Sequence, residues 1–325
     1  MNDTFFLTGA LGCIGAWVVK HLVERGDRAV VFDVGGDPRR LRDVIAPADL
    51  ARVQFVAGDI TDLDACKQAV AASRPRAIVH LAGLQVPSCR QDPALGARVN
   101  VLGTIHVFEA ALAAGVPRVV YASSAAVFGP SEDDGTAVDE AASCAPVTHY
   151  GVYKQANEGT ARIYWLERKL ASVGLRPLTV YGVGRDQGLT SGPTSAMKAA
   201  VLGRPFHIGF SGPTDFHYVA DTAAAFVACA DGGPAGAAVY NLHGDSVDVA
   251  AVVAEIEALC PAAAGKLTSG GPRIPIPPQL DGSAIRQAYP TLPHTPLREG
   301  IAATVAGFRR LHAAGQLDRR DLPGG

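Results

Sequence analysis

Tyr150 and Lys154 stand four residues apart in HYGVYKQANEGTARIYWLERK, a stretch of helical period, so both project from one face and an ammonium can lie beside a phenol. Oxidising a secondary alcohol needs a base that works near neutral pH, and free tyrosine, with a pKa of about 10, is too weakly dissociated. A neighbouring ammonium favours the phenolate. Ser124, at the end of the strand pattern RVVYASS, offers a hydroxyl that can align the reacting oxygen. Ser124, Tyr150 and Lys154 are therefore the candidate catalytic residues, and Lys154 is also placed to bind a cofactor ribose. Tyr153 leaves the same helix about a hundred degrees away from Lys154 and has no part in this set.

Such chemistry needs a hydride carrier, and residues 4–33 supply a place for one. They read as a strand, a glycine turn, a helix and a second strand ending in Asp33. Gly9, Gly12 and Gly15 form GxxGxxG, in which the glycines permit a tight turn, a close backbone approach to a pyrophosphate and close helix–strand packing. The helix N-terminus favours the anion. Asp33, 18 residues after Gly15, can accept both hydroxyls of an adenosine ribose and repel a 2′-phosphate, which favours NAD over NADP. Arg39 and Arg40 follow closely enough to pair with such a phosphate, which tempers that preference.

Strand and helix patterns alternate through the first half, the signature of a parallel sheet covered on both faces. A strand over 53–59 ends at Asp59 and Ile60, where an adenine would lie. A helix over 62–73 leads to a strand over 77–83, whose Leu81, Ala82 and Gly83 let a flat ligand pass. The spacing predicts a helix over 94–114 containing a half-buried Asn100, a strand over 118–123, an acidic loop over 130–147, a helix over 149–174 and a strand over 175–182. Domain boundaries follow: residues 1–180 form the cofactor domain and 181–325 a smaller substrate lobe, with 219–242 returning to the sheet. Residues 270–283 read as an irregular loop, 297–313 as a last amphipathic helix, and the tail LDRRDLPGG as disordered.

At 325 residues, 48% hydrophobic and 18% charged with a formal net charge of −2, the composition is that of a globular protein with no electrostatic footprint for nucleic acid or a membrane surface. A small-molecule partner is expected. Six cysteines without CxxC or Cys/His spacing argue against a metal site and a disulfide framework, and fit a reducing cytoplasm. No signal peptide or membrane span is read.

TGALGCIG at 8–15, Asp33, GDI at 58–60, HLAG at 80–83, VNVLGT at 99–104, YASSAAVFG at 121–129 and YGVYK at 150–154 together resemble the extended short-chain dehydrogenase/reductases, in the NAD-dependent epimerase/dehydratase group. Weaker similarity continues through FHYVADTAAAF at 216–226. The resemblance implies a doubly wound Rossmann domain with a mixed C-terminal lobe, NAD as cofactor, and a homodimer through the helices near 94–114 and 149–173. It implies a cofactor set of Gly9, Gly12, Cys13, Ile14, Gly15, Asp33, Asp59, Ile60, Leu81, Ala82, Gly83, Asn100, Tyr150 and Lys154. The substrate set is Gln85, Ser123, Ser124, Ala125, Thr179 and Arg185.

Two positions depart from the nucleotide-sugar epimerases. Thr179 stands where they usually carry Asn, and Thr214 where they usually carry an Arg that binds the substrate's nucleotide. Losing that Arg removes a charge-assisted contact, with Arg185, Arg204 and Arg273 as possible substitutes. On this ground an NAD-dependent oxidoreductase acting on a small sugar, polyol or hydroxy acid comes first, and a nucleotide-sugar epimerase second. The SSAAVFG segment also resembles the short-chain threonine dehydrogenases. A non-catalytic dinucleotide sensor is a third reading, disfavoured by the intact trio, and Ala125 and Ala126 stand where a sugar dehydratase would need acids.

Overall fold

The computed structural model describes residues 3–130 and 136–324. Its twelve strands among the described residues are β1 Thr4–Thr8, β2 Arg28–Asp33, β3 Val53–Ala57, β4 Ala77–His80, β5 Arg118–Ala122, β6 Ala171–Arg176, β7 Thr179–Tyr181, β8 Phe206–Ile208, β9 Pro213–Tyr218, β10 Ala237–Asn241, β11 Asp245–Asp248 and β12 Leu267–Ser269. Seven form one parallel sheet in the order β10-β6-β5-β4-β1-β2-β3. The winding reverses between β1 and β4, which leaves a crevice beyond their carboxyl ends. Phe5 and Leu7 of β1 face one buried cluster and Phe6 the other, so this strand is covered on both sides, as its unbroken apolar run requires.

The central helix is shorter than its sequence pattern. It runs His149–Arg168, begun by Thr148, whose Oγ1 accepts the Gly151 amide at 3.0 Å, and ended by Lys169 at φ +56°. A left-handed cap on a lysine carries no glycine signal, so periodicity continued the helix into what is β6. The strand read over 175–182 is two strands in different sheets: β6 ends at Arg176, just before Pro177, and β7 pairs with β9 in a three-stranded sheet. The helix read over 94–114 runs without a break over 93–113, with a π-helical turn over Arg98–Leu102 between the α-helical stretches Pro93–Ala97 and Gly103–Ala113.

Beyond β7 a further buried cluster joins Tyr181, Met197, Phe216, Ile256 and Phe308. Asp215, fully buried, accepts from His243 Nδ1 at 3.0 Å and the Gly244 amide at 2.8 Å, tying β9 to the turn after β10. The 270–283 segment pairs with the acidic loop, Val138 N donating to Gln279 O at 3.1 Å and Asp281 N to Val138 O at 2.9 Å. Residues 131–135 of that loop lie outside the described residues.

The tail is ordered through Gly324, contrary to its polar composition. Leu322 is buried, and Asp321 accepts from Ser195 Oγ at 3.0 Å and Lys198 Nζ at 2.5 Å. Lys198 has only 4% of its side chain exposed, and the tail supplies the carboxylate its ammonium pairs with directly, Asp43 acting on it from farther off. Asp321→Ala should therefore destabilise the protein by about 3–5 kcal/mol in urea denaturation, whereas Lys198→Met, which removes the buried charge itself, should cost much less.

Candidate active site

The glycine turn closes against the end of β4. Gly9 adopts φ +69°, and a Cβ there would lie 2.4 Å from the Ala82 amide nitrogen; one on Gly15 would lie 2.5 Å from Ala10 Cα. Gly12 N donates to Gly9 O at 3.0 Å, and the first bond of the helix Cys13–Glu24 is Ala16 N to Gly12 O, so the amides of Cys13, Ile14 and Gly15 precede the helical ladder. Asp33 accepts the amides of Val34 at 2.9 Å and Leu11 at 3.5 Å. Burial raises its pKa, and these two amides oppose the rise. This backbone cradle, with an acid at its edge, fits the pyrophosphate and ribose of a dinucleotide. Cys13 contributes backbone there: its thiol faces Val183 O across the lobes, and burial pushes its pKa up to about 12.

Asp59 is exposed, its Oδ1 accepting the Thr61 amide at 2.8 Å, while Ile60 is buried against Gly103. Leu81 N donates to Thr8 O at 3.0 Å. Asn100 does not point at the crevice as a free group. Its Oδ1 accepts Leu84 N and its Nδ2 donates to Leu84 O, both at 3.1 Å, which holds the 81–84 loop in place. The π-helical turn makes the Asn100 carbonyl available to Thr104 Oγ1 at 2.7 Å and Asn157 Nδ2 at 2.9 Å. His80 bridges Thr8 Oγ1 at 2.6 Å and Thr104 Oγ1 at 2.9 Å. Because Thr104 already donates to Asn100, its oxygen accepts from His80 Nε2, and Nδ1 accepts from Thr8. Burial, with Lys154 nearby, takes the His80 pKa down to about 3, so it is a neutral spacer.

Ser124, Tyr150 and Lys154 come together at the end of β5. The Ser124 hydroxyl, which accepts the Ala126 amide at 3.2 Å, lies near enough to the Tyr150 phenol to favour its ionised form. Lys154 is 5% exposed, donates from Nζ to Ala122 O at 2.7 Å, and lies 5.5 Å from the centre of the Tyr150 ring. A Cβ on Gly83 would meet this ammonium at 3.6 Å and Asn100 Oδ1 at 2.5 Å, so only glycine fits beside it. Burial lowers the Lys154 pKa to about 8, with Cys89 and Glu158 opposing. Burial also raises the Tyr150 pKa, and the groups that counter it are Ser124 and Arg185. The sequence reading gives that electrostatic task to Lys154, whose ammonium lies 5.5 Å from the ring centre, and Arg185 adds a second positive charge that favours the phenolate.

The expected substrate residues divide. Gln85 and Arg185 meet at Gly188: a Cβ on Gly188 would stand 2.0 Å from Gln85 Oε1 and 3.2 Å from Arg185 Nη2. Arg185 Nη2 donates to Thr190 Oγ1 at 3.1 Å, while its buried Nε has no hydrogen-bond partner. Ser123, Ala125 and Thr179 are turned to other tasks. The Ser123 hydroxyl donates to Glu158, which pairs with the buried Arg176 at 2.7 Å; the Ala125 amide donates to Pro177 O at 3.1 Å; and the Thr179 hydroxyl shares a hydrogen bond of 2.8 Å with that of Thr214. Thr179 and Thr214, the two departures from the epimerase pattern, thus satisfy each other in the core. Tyr153 donates to Pro93 O at 2.8 Å, away from the site. Among the described residues there is no cluster of metal-ligating side chains, and no helix is long and apolar enough to cross a membrane.

The family model for the NAD dependent epimerase/dehydratase family matches residues 5–242. A UDP-glucose 4-epimerase of Mycolicibacterium smegmatis is 32% identical over 318 residues, covering 93% of this chain and 97% of that one. Among solved structures, MoeE5 in complex with UDP-glucose and NAD is 28% identical with a TM-score of 0.80 and covers 94% of this chain and 99% of its own. A partial-consensus L-threonine 3-dehydrogenase, 22% identical with a TM-score of 0.82 over 94% of this chain and 99% of its own, shares the fold. The chain belongs to the NAD-dependent epimerase/dehydratase family, in the extended short-chain dehydrogenase/reductase class, and its cofactor is NAD.

Proposed function

We propose that the protein is a nucleotide-sugar epimerase of the UDP-glucose 4-epimerase kind. The observation that carries this reading is the end-to-end relation to a UDP-glucose 4-epimerase, 97% of whose length is matched. The departures at Thr179 and Thr214 had put a dehydrogenase first; a relation of that extent outweighs two positions. They remain the one specific observation for a second reading, a dehydrogenase whose substrate lacks a nucleotide, because two hydroxyls bonded to each other offer a diphosphate nothing.

Gly9 to Gly15, Asp33 and the 81–83 loop would hold NAD, with Lys154 at its second ribose. When bound, NAD supplies a hydride acceptor that becomes the donor for the return step. Tyr150 takes the proton of the sugar hydroxyl and later gives it back, while Ser124 aligns the oxygen. Arg185 supplies positive charge as the phenolate forms. A homodimer would use the exposed Val152, Ile163 and Leu166, which lie along one side of the helix His149–Arg168.

Conversion of UDP-glucose to UDP-galactose, with stoichiometric NAD released when the purified protein is denatured, is the expected result. An empty protein that reduces added NAD with free sugars would support the second reading instead. Tyr150→Phe should lower turnover by about 10²–10⁴-fold. In Arg185→Gln the phenol loses a group that lowers its pKa, so the rising limb of the kcat/KM profile should move to higher pH; an unmoved limb removes Arg185 from this role. Ile163→Glu with Leu166→Glu should yield monomers in sedimentation.

A further inference from the structure

Asp33 is not the only carboxylate that bears on the choice between NAD and its 2′-phosphorylated form. Arg40 Nη1 donates to Leu11 O at 2.9 Å, and the amide of the same Leu11 is held by Asp33. This guanidinium therefore flanks the same residue of the glycine turn as the ribose-binding acid. A free arginine there is a receptor for a 2′-phosphate, since a guanidinium fork matches phosphate oxygens with two charge-assisted bonds.

Neither Arg40 nor its neighbour is free. Asp186, in the loop after β7, accepts Arg40 Nη2 at 2.6 Å and Nε at 3.2 Å through Oδ1, and Arg39 Nη2 through Oδ2. Arg40 Nε also reaches Gly184 O at 3.1 Å. Arg39 is shared further with Asp43 at 3.3 Å and with Asp318 of the tail at 3.1 Å. Asp186 is 8% exposed; burial raises its pKa, but the two guanidiniums outweigh burial and the net shift is downward, so it is a firm anion. One carboxylate straddles two arginines, one oxygen to each, from a segment 146 residues away in the chain.

We propose that Asp186 is a cofactor-selecting residue: by holding Arg39 and Arg40 it withdraws the two cations that would receive a 2′-phosphate. Discrimination is then made twice, by Asp33 through direct repulsion and by Asp186 through occupation of the arginines. The inference rests on the family's use of NAD and not on the epimerase reading, so either can fail without the other.

The test is competition. The full chain is exchanged to equilibrium against an equimolar mixture of NAD and NADP, desalted and denatured, and the released nucleotides are quantified by chromatography. Asp33→Ser should raise the NADP:NAD ratio, and adding Asp186→Ser should raise it about a further tenfold or more, the effect of one or two charge-assisted bonds. Adding Arg39→Gln and Arg40→Gln to that double variant should abolish the gain. A double variant with the ratio of Asp33→Ser alone would overturn the proposal. So would a gain that survives loss of both arginines, or an Asp186→Ser protein that loads neither nucleotide, which would make the residue purely structural.

Discussion

A side chain at position 9 would stand 2.4 Å from the Ala82 amide nitrogen, and the structure depends on that contact between two strand ends. β1 and β4 are neighbours in the sheet, and the reversal of winding between them opens the crevice. Only because the glycine turn lies against the 81–84 loop can one dinucleotide touch both. The same closeness sets the buried network beneath: Thr8 at the end of β1 bonds His80 at the end of β4, and through Thr104 the carbonyl of Asn100. Asn100 holds Leu84 in turn, and the 81–84 loop leaves room for the Lys154 ammonium beside Gly83. Lys154 is thus positioned, several contacts removed, by a turn that contains none of Ser124, Tyr150 and Lys154.

The second set of dependencies crosses between the first half of the chain and the loop after β7. Trp17 Nε1 donates to Val183 O at 2.9 Å and Arg40 Nε to Gly184 O, so that loop is fastened both to the helix that opens at Cys13 and to the short helix Arg39–Val44 after β2. Arg185 follows these anchors directly and is a charge felt by both Cys13 and Tyr150. The loop's position therefore affects the glycine turn and Tyr150 together.

What could be read in the sequence was what is local along the chain. The glycine turn and Asp33 belong to one strand–helix–strand unit, and Tyr150 and Lys154 to one helix, so type and spacing sufficed. The end of that helix could not be read, because Lys169 enters the left-handed region without being glycine. Ser123 looked available at a strand end, and Thr179 stood where the resemblance puts a substrate-binding residue, yet their hydroxyls are claimed by Glu158 and Thr214, partners at 35 residues' remove in each case. The nearness of Arg185 to Tyr150 had no signal, since nothing in the 34 residues between them fixes their distance in space. The tail was misread because polar composition reports the cost of ordering a segment and not the buried lysine waiting for it.

That lysine has a consequence for where the fold tolerates being cut. Lys198 lies on the helix Gly192–Val201, and the segment that carries Asp321 and Leu322 reaches it from 123 residues away. A protease that nicked the chain between the helix Leu297–Ala313 and Asp321 would let that segment leave, and the ammonium would lose the carboxylate it donates to while its surroundings opened to water.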